Sequence, residues 1–377
     1  MAQNYAVEYS SDGVTYSTLA NVQTFTVNIG RHRQLDPYSS SRASITIRYP
    51  TGYASPITAI TSGNYCRIKN TTTNTFVFNG IINNVNVQYG IPYASGVGNA
   101  DFLTFTIEGS FARFGRARGN NYSMAADTLQ NQLTNCAVQT GLNIGTSTPP
   151  ASPAMGADVI DNTWGDWINQ VLLTTNGRMI DADTLNVLVL SPFTSYVSTV
   201  NFSDAANNAT NQVFDQIHFG SYADNYYTQV TVDPEGFAAA TVQTGSAPFR
   251  TLLMNTLNAS TAQATDFANY LLANYDNQGA ALLSISCLAE AQNTFKLDQL
   301  AAGRFTPQPD SLAAVIGTQV NVTFRGTTFT CIIEGVTMSA TPASSRYTYY
   351  LSGADLNAYL ILDNAVFGKL DSNKLGY

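Results

Sequence analysis

The feature that most limits the fold is a ten-residue pattern that occurs twice and breaks its own alternation at the same point. Residues 78–87 read FNGIINNVNV and residues 329–338 read FTCIIEGVTM, so both follow F-x-x-I-I-x-x-V-x-[V/M]. Successive side chains of a β-strand point to opposite faces, so a change of phase in the apolar residues requires an inserted residue. Both copies change phase between the Ile pair and the following Val. The pattern therefore predicts two bent strands, each with a β-bulge of the kind found where a sheet closes into a barrel.

The similarity extends beyond the pattern in both directions. Upstream, a glycine leads into a strand-like run at Gly63 and again at Gly317; downstream, strand-like runs end at Gly109 and at Gly353. The connecting lengths differ by a few residues, as loops do. The sequence thus predicts two similar β-barrels in one chain. The alternative is chance, because Phe, Ile and Val often occur together in strands.

The segments around the two barrels predict smaller α+β insertions. With 377 residues, the chain has room for several domains that each bury a core. We expect a mainly β fold with two similar β-barrel domains and two smaller inserted domains. The predicted units are a first barrel at 1–116, an α+β insert at 117–200, a second barrel at 201–247 and 311–353, a helix-containing insert at 248–310 and a C-terminal tail at 354–377.

Three helices are predicted from apolar residues spaced three or four positions apart. The first ends at Gly141, and the second begins with Asn162 as its capping residue. The second ends at an Asn-Gly pair, residues 176–177, before a predicted β-hairpin with Asp183 near its turn. The apolar residues of the three helices are Leu129, Leu133 and Cys136; Trp164, Trp167, Ile168, Val171 and Leu172; and Ala264, Phe267, Leu271 and Tyr275.

The composition favours a structural protein over a cytosolic enzyme. Only 11% of the residues are charged, about half of the usual fraction, and Thr, Asn, Ser and Tyr are abundant. The net charge of −8 is unevenly distributed: residues 1–120 carry nine Lys and Arg against five Asp and Glu, and the rest of the chain carries eight against twenty. This imbalance has three interpretations, namely chains that meet head to side, a basic patch for nucleic acid, and chance.

The cysteines and the first residues indicate the compartment. Cys66, Cys136, Cys287 and Cys331 are far apart, with no CxxC and no nearby His, so they do not form a zinc motif. Their apolar neighbours predict buried free thiols. Residues 1–10 lack the pattern of a signal peptide, and no apolar run reaches the roughly 20 residues of a membrane span. We expect a chain that folds in a reducing cytoplasm, without a membrane span, metal or cofactor.

The sequence offers little catalytic chemistry, and we expect no enzymatic activity and no catalytic residue. His32 and His218 have no nucleophile or metal-binding motif beside them, and His218 alternates with apolar neighbours as a structural histidine does. A glycosidase needs two converging carboxylates. Asp161 and Asp166 diverge on a helix, and Asp166 more simply favours the helix N-terminus.

Basic and aromatic residues suggest two binding roles that remain open. The two basic clusters of the first predicted barrel are Arg31 and Arg33, and Arg113, Arg116 and Arg118. They suit phosphate binding, or pairing with an acidic surface of a neighbouring subunit or of the remainder of this chain. Without interleaved aromatic residues we favour the ion pairs. Trp164 and Trp167 suit a sugar platform, but their place on an apolar helical stripe favours the core.

The order of barrel, α+β insert and interrupted second barrel resembles the tail hub proteins of tailed bacteriophages, the baseplate-hub, tail-associated and minor tail family. NTWGDWINQVLLTTNGRMIDADTLNVLVL, residues 162–190, resembles the insert of that family, and TDFANYLLANY, residues 265–275, resembles the helix in its second barrel. The ending ILDNAVFGKLDSNKLGY, residues 361–377, is similar to the C-terminus of many minor tail proteins. The resemblance covers essentially the whole chain, and its motifs are structural.

This resemblance implies a homotrimer at the distal end of a phage tail, assembled in the host cytoplasm. Six tail-tube-like barrels would continue the hexameric tail tube, or a distal tail protein, above and would seat a tip, spike or fibre protein below. The tape-measure protein and DNA would pass through the channel without sequence-specific binding. Some family members carry a peptidoglycan-cleaving or fibre-like extension. Because this sequence stops at Tyr377, we expect such an activity on another subunit.

Two alternatives remain, one in the same virion and one from another class of function. One is a distal tail protein that forms a six-fold ring with a sugar-binding appendage. The other is a secreted or surface β-protein that binds or hydrolyses carbohydrate, which the missing signal peptide disfavours. The number of subunits in a ring separates the hub from the first alternative, and a glycan screen tests the second.

Overall fold

A computed structural model describes most of the chain, and the described part is mainly β, as predicted. The described residues are 5–49, 60–72, 74–90, 100–146, 153–181, 185–188, 196–205, 208, 210–220, 226–276, 281–289, 312 and 315–353. The predicted C-terminal tail lies outside these residues. Four helices are described: α1 Phe111–Phe114, α2 Leu129–Thr140, α3 Trp164–Thr174 and α4 Thr261–Tyr275.

The strands are short and follow one another closely along the chain. Those of the first half are β1 Tyr5–Ser10, β2 Ser17–Thr18, β3 Val22–Gly30, β4 Arg42–Tyr49, β5 Tyr65–Asn70, β6 Phe76–Gln88, β7 Asp101–Glu108, β8 Tyr122–Met124, β9 Asp127–Thr128, β10 Ile144–Thr146, β11 Ala154–Met155, β12 Asp158–Ile160, β13 Arg178–Asp181 and β14 Leu185–Leu188. Those of the second half are β15 Tyr196–Val197, β16 Asn201–Ser203, β17 Asn211–Val213, β18 Gln216–Gly220, β19 Gln229–Pro234, β20 Ala240–Gln243, β21 Thr251–Thr256, β22 Ala281–Ala289, β23 Thr318–Phe324, β24 Thr327–Ala340 and β25 Ser345–Gly353.

One sheet of 15 strands carries both copies of the repeated pattern. Its main path is β17-β16-β23-β24-β3-β4-β7-β6-β5-β1-β2; in addition β15 pairs with β23, β25 pairs with β24 and β22, and β22 pairs with β18. The joint between the two halves is the antiparallel pair β24–β3. Within the described residues the two halves therefore share one continuous sheet, and neither closes on itself as the predicted barrels would.

The two halves of this sheet have the same strand order. The first half runs β3-β4-β7-β6-β5-β1, and the second runs β18-β22-β25-β24-β23-β16. All neighbours from β3 to β5 and from β18 to β23 are antiparallel. The outermost pair differs, since β1 is antiparallel to β5 whereas β16 is parallel to β23. The sequence repeat is thus matched by a repeat of strand order.

The predicted β-bulges are confirmed at the predicted position. Pairing of β6 with β7 skips Asn83, between Ile82 and Asn84. Pairing of β24 with β25 skips Glu334, between Ile333 and Gly335. Asn83 and Glu334 hold the same place in the ten-residue pattern. An extra residue on one strand bends it and increases its twist, so each strand leaves one partner and joins another.

The predicted match between Gly63 and Gly317 is also confirmed. Both glycines have positive φ angles, 91° and 74°, which residues other than glycine rarely adopt. Gly63 N–H donates to the carbonyl of Ile82 at 2.8 Å, and Gly317 N–H donates to the carbonyl of Ile333 at 2.7 Å. Each glycine therefore ties its loop to the residue just before the bulge.

The described residues form three separate hydrophobic cores. The largest joins residues of both sheet halves. The second contains Trp164 and Trp167, which are buried and pack edge to face with their ring centroids 5.7 Å apart, so the core interpretation of these tryptophans is confirmed. The third core lies between α4 and the sheet β20-β19-β21. The predicted boundary at 247–248 passes through this three-stranded sheet, and the domain boundaries stay a prediction.

The predicted helices form, with one correction at a helix start. Helix α2 ends at Gly141 in the left-handed conformation, as predicted. The capping residue of helix α3 is Thr163 and not Asn162. The Thr163 hydroxyl accepts the Asp166 N–H at 3.1 Å while the Asp166 carboxylate accepts the Thr163 N–H at 3.2 Å, so this reciprocal capping box fixes the start. The hairpin β13–β14 is confirmed, and its predicted turn at Asp183 lies outside the described residues.

Replacement of Gly335 by alanine is expected to destabilise the protein because Gly335 faces Gly30 where β24 joins β3. A Cβ on Gly335 would collide with the backbone carbonyl oxygen of Arg31, and one on Gly30 would collide with that of Glu334. Backbone atoms cannot turn aside as a side chain can. We expect Gly335→Ala to lower the free energy of unfolding by about 1–3 kcal/mol, measured by urea denaturation.

The matched control is Gly353→Ala. No atom of the described residues lies within 4 Å of a Cβ built on Gly353, so the free energy of unfolding of this variant is expected to change by no more than about 0.5 kcal/mol. Equal urea midpoints for the two variants would show that the β24–β3 joint tolerates a side chain.

Candidate assembly interface

A buried ionic cluster lies where β24 bulges, β3 ends and β13 begins. The carboxylate of the bulge residue Glu334 accepts hydrogen bonds from Arg31 Nε at 2.9 Å and from Arg178 Nη2 at 2.6 Å. Ser352 Oγ donates to Glu334 Oε1 at 2.6 Å. The side chains of Glu334, Arg31 and Arg178 are 0%, 4% and 2% exposed. We call these four residues the Glu334 cluster, and its members come from both sheet halves and from the segment between them.

The electrostatics of this cluster keep its charges in place. Burial by itself would raise the pKa of Glu334, but the positive charges of Arg178 and Arg31, with the hydrogen bonds from Ser352 and Arg178, lower that pKa to about 2. For Arg178, burial acts to lower the pKa, but the charge of Glu334, the nearby Tyr38 and Tyr270 and the hydrogen bond to Glu334 together outweigh burial and raise the pKa. Glu334 in the folded protein is therefore ionised well above pH 2.

Tyrosines and amides extend the cluster towards α4. Gln34, in the loop after β3, donates through Nε2 to Asn176 Oδ1 at 2.8 Å and to the Tyr270 hydroxyl at 2.9 Å. The Tyr275 hydroxyl donates to Gln34 Oε1 at 3.1 Å. Burial raises the pKa of Tyr275, so this hydroxyl remains a donor. One glutamine thus connects the first sheet half, the C-terminal end of α3 and helix α4.

A second buried carboxylate, that of Asp181 at the end of β13, binds the other end of the loop between β3 and β4. It accepts the backbone N–H groups of Ser41 at 2.6 Å and Phe111 at 2.8 Å. The hydroxyls of Ser110 and Ser40 add bonds of 3.1 and 3.2 Å. Burial raises the pKa of Asp181, while these four hydrogen bonds act in the opposite direction. Asp181 orders the chain between β3 and β4 and the start of α1.

The equivalent bulge in the first half carries a more exposed cluster. Asn83 Nδ2 donates to Glu108 Oε1 at 2.7 Å, and Glu108 also accepts Arg42 at 2.8 Å and Arg116 at 2.5 Å. Burial would raise the pKa of Glu108, and the two arginines lower it overall. The arginine side chains are 56% and 63% exposed. We call these residues the Glu108 cluster.

The arginines of the two predicted basic clusters are distributed over different environments. Arg31 is buried with Glu334, a residue of the acidic remainder of the chain. Arg33 pairs with Asp36 at 3.1 Å near the surface, and Arg116 belongs to the Glu108 cluster. Arg113 and Arg118 are exposed. The expectation of ion pairs within the chain is thus confirmed for Arg31, which does not lie on a surface patch.

The histidines and cysteines lie apart from one another. His32 stacks on Tyr350 with ring centroids 3.9 Å apart, and His218 is exposed on β18. All four cysteines are free and buried, as predicted. In the described part of the chain, His, Cys, Asp and Glu side chains do not gather in threes as metal ligands would. None of the helices in the described ranges has the length and apolar run of a membrane span.

Sequence reasoning missed Glu334, Arg178 and Asp181 as the residues that hold the parts together. For Glu334 a signal exists, because it is a carboxylate inside an apolar strand and occupies the inserted position of the bulge. Arg178 and Asp181 lie at the two ends of RMID, a strand whose burial on both faces is not evident from its sequence.

The large sheet presents one face covered mainly by hydroxyl and amide side chains. Eight strands, in the order β18-β22-β25-β24-β3-β4-β7-β6, contribute to it. Its polar uncharged residues are Gln216, Ser284, Ser286, Thr348, Thr337, Ser339, Thr26, Asn28, Ser44, Thr46, Thr104, Thr106, Asn84, Asn86 and Gln88. We call this the hydroxyl face.

Neighbouring side chains on the hydroxyl face bond to one another. Ser286 and Thr348 hydroxyls lie 2.8 Å apart, and Thr337 Oγ1 donates to Asn28 Oδ1 at 2.8 Å. The charged residues of this face include Arg42, which pairs with Glu108, and Arg346, which pairs with Asp215 at 2.7 Å. The opposite face of the same strands is apolar and packs into the largest core.

Solved structures of tail proteins share this fold over almost the whole chain. No protein-family model and no curated protein sequence matches the sequence of this chain. The 43 kDa tail protein of prophage MuSo2 from Shewanella oneidensis matches with a TM-score of 0.65 and 11% identity, over 93% of this chain and 99% of that one. A tail protein from Neisseria meningitidis MC58 matches with a TM-score of 0.61 and 13% identity, over 93% and 97%.

A third structure, the prophage tail protein gp18 from Listeria monocytogenes EGD-e, matches with a TM-score of 0.52 and 10% identity, over 92% of this chain and 94% of that one. The chain therefore has the fold of phage tail proteins. The resemblance read from the sequence is confirmed at the level of the fold.

The Glu334 cluster predicts a stability contribution that depends on pH. Because the pKa of Glu334 in the folded protein is about 2, below its ordinary value of 4.5, the ionised carboxylate stabilises the fold above pH 4.5. This contribution of about 3 kcal/mol falls away as the pH drops from 4.5 towards 2. We expect Glu334→Gln to lose about 3–5 kcal/mol near pH 7, because two buried arginines lose their counter-charge.

The measurement is urea denaturation of both proteins between pH 2 and 7, in which the acid-dependent loss of stability should be about 3 kcal/mol smaller in Glu334→Gln than in the wild type. Asp36→Asn is the control, since its pair with Arg33 is partly exposed and is worth about 0–1 kcal/mol. Similar losses at neutral pH for both variants would contradict the role assigned to the Glu334 cluster.

Proposed function

We propose that the chain is a structural component of the distal end of a phage tail, a homotrimeric hub without a catalytic role. Each chain supplies two similar tube-like units, so three chains supply six. A six-fold tail tube, or a distal tail protein, can then be continued on one side, and a three-fold tip, spike or fibre protein can be seated on the other.

The observation that carries this proposal is the duplication inside the chain. Two strand sets share one order, one bulge position and one positive-φ glycine before the bulge. Two matched units arranged side by side in one sheet suit a ring, because three chains then present six similar units. The shared fold with prophage tail proteins supports the same conclusion, since each of those proteins is described as a tail protein.

The proposal also gives the hydroxyl face a role as the wall of the central channel. The other face of the same strands is covered by β1, β5, β16 and β23, and these bulky layers fit on the outer circumference of a ring. The channel wall is then formed mainly by uncharged polar side chains, and its charged residues include the paired Arg42 and Arg346. Because few cationic side chains line this face, DNA in the channel would release few of its counterions, and its affinity for the wall would be low. A tape-measure protein and then DNA can pass without being retained.

The domain boundaries predicted from the sequence are kept in this proposal, with one change. We retain the predicted units 1–116 and 117–200, the discontinuous second unit at 201–247 and 311–353, the insert at 248–310 and the tail at 354–377 as proposals. One revision is proposed: strands β19 and β20 belong with β21 and α4 in the second insert, because they share a sheet and a core. The site of action is the virion tail, after assembly in the host cytoplasm.

Size-exclusion chromatography with light scattering tests the oligomer. We expect a particle of three times the chain mass of 40.5 kDa, and electron-microscopy class averages with three-fold symmetry and six similar lobes. The physical reason is that two matched units per chain close a six-unit ring with three chains.

Other outcomes discriminate the alternatives. Six chains in one ring would favour a distal tail protein, and a stable monomer at high concentration would contradict the hub. Dose-dependent binding to cell-wall polymers in a glycan screen, by a monomer, would favour the carbohydrate-binding alternative.

A further inference from the structure

The sheet leaves two strand edges without a neighbour among the described residues. Residues 84–88, the second half of β6, pair with β7 on one side only, and β18 pairs with β22 on one side only. These edges lie at opposite ends of the eight-stranded run that forms the hydroxyl face. An unpaired edge presents backbone N–H and C=O groups that favour the addition of another strand.

The chain already contains one example of how such edges join. In the shared strand order, β24 corresponds to β6, and β3 corresponds to β18. The second half of β24 pairs antiparallel with β3, from Gly335 opposite Gly30 to Ala340 opposite Phe25. The internal joint is therefore a template for a joint between copies.

Rows of paired residues across the sheet align the two halves. One row crosses β6, β7, β4 and β3, and the corresponding row crosses β24, β25, β22 and β18. The first row comprises Asn84, Thr106, Ser44 and Thr26, and the second comprises Gly335, Tyr350, Ser284 and His218. His218 thus holds the place of Thr26. Counted from the bulge, Gln88 holds the place of Ser339.

We propose that β6 of one copy pairs antiparallel with β18 of the next, with Gln88 opposite His218 of the partner subunit, as Ser339 lies opposite Thr26 within the chain. This inference rests on the trimer proposed above and specifies its interface. The same register places Val87 opposite Phe219 of the partner subunit. Three copies of the eight-stranded run then close into a barrel of twenty-four strands, and no edge of the run remains open.

Burial at the two edges supports this register. Val336 and Met338 are fully buried at the internal joint, whereas Val85 and Val87, which hold the same places in β6, are only half-buried. Tyr89 is 54% exposed, although its counterpart Ala340 is 1% exposed. On the other edge, apolar residues of β18 are likewise incompletely covered.

The phase of the side chains agrees with the proposed pairing. Directly opposite residues in an antiparallel pair point to the same face, so a register is acceptable only if like residues meet. Val87 and Phe219 both pack against the apolar core, and Gln88 and His218 are both exposed. A shift by one residue would place apolar side chains of one strand against the hydroxyl face of the other.

Disulfide trapping tests the register. Directly opposite residues of an antiparallel pair have Cα atoms about 4.5–5.5 Å apart, within the range of a disulfide. We expect the variant Gln88→Cys/His218→Cys to form covalent dimers and trimers under mild oxidation, seen on non-reducing gels as a loss of most of the monomer band. The four native cysteines are buried and should leave the wild type uncross-linked.

Two matched double-cysteine variants serve as controls. One tests for cross-links from random collisions between molecules, and the other tests whether directly opposite residues of a known strand pair form a disulfide. Asn84→Cys/Gln216→Cys uses two exposed residues of the same strands that are six positions, or about 20 Å, out of register, and should remain monomeric on the gel. Thr26→Cys/Ser339→Cys uses the internal joint and should form a disulfide within the chain, seen as a loss of free thiols without a change of mass.

The outcomes separate this inference from the proposed function. A trimer by light scattering in which the Gln88/His218 variant does not cross-link, or cross-links no more than the Asn84/Gln216 variant, overturns the strand pairing and leaves the hub proposal standing. A wild-type monomer at all concentrations overturns both. A trimer with cross-links confined to the Gln88/His218 variant supports both.

Discussion

The structure depends on a carboxylate that is buried between two guanidinium groups. Charged groups of this kind are tolerated in a protein interior only when each is paired and hydrogen-bonded. Glu334 meets that condition because Arg31, Arg178 and Ser352 reach it from separate segments of the chain. Each of these segments must therefore be in position for any of them to be stable. The cluster makes the joint between the two sheet halves, and the position of the intervening domain, a single cooperative arrangement.

The two bulges show how one backbone device serves different chemistry. In both halves an inserted residue redirects a long strand, and a glycine with positive φ bonds to the residue before it. The inserted residue is Asn83 in one half and Glu334 in the other. Asn83 contributes a neutral donor to an ionic cluster with exposed arginines, whereas Glu334 is the centre of a buried one. The backbone geometry is the same at both bulges, but the side chains differ, because the cluster of Glu334 is buried and that of Asn83 includes exposed arginines.

The sequence predicted the local features well, because each is decided by residues close together. The broken alternation located both bulges, the glycines at 63 and 317 matched, and Gly141 ended its helix. Asn162 was wrong by one position because only Thr163 and Asp166 can bond reciprocally. The choice of partner strand was not predictable, since β24 and β3 are far apart in the chain. Arg31 was grouped with Arg33, its neighbour in the sequence, but its environment is set by Glu334, 303 residues away.

Covalent linkage of the two sheet halves has a consequence for how a ring can form. The joint between β24 and β3 belongs to one polypeptide, so its two sides meet at the high effective concentration that a tether provides, independent of how dilute the protein is. In the proposed ring, half of the seams are therefore complete as soon as each chain has folded. Closure then needs two encounters between molecules, whereas six separate subunits would need five, and fewer incomplete arcs can accumulate along the way.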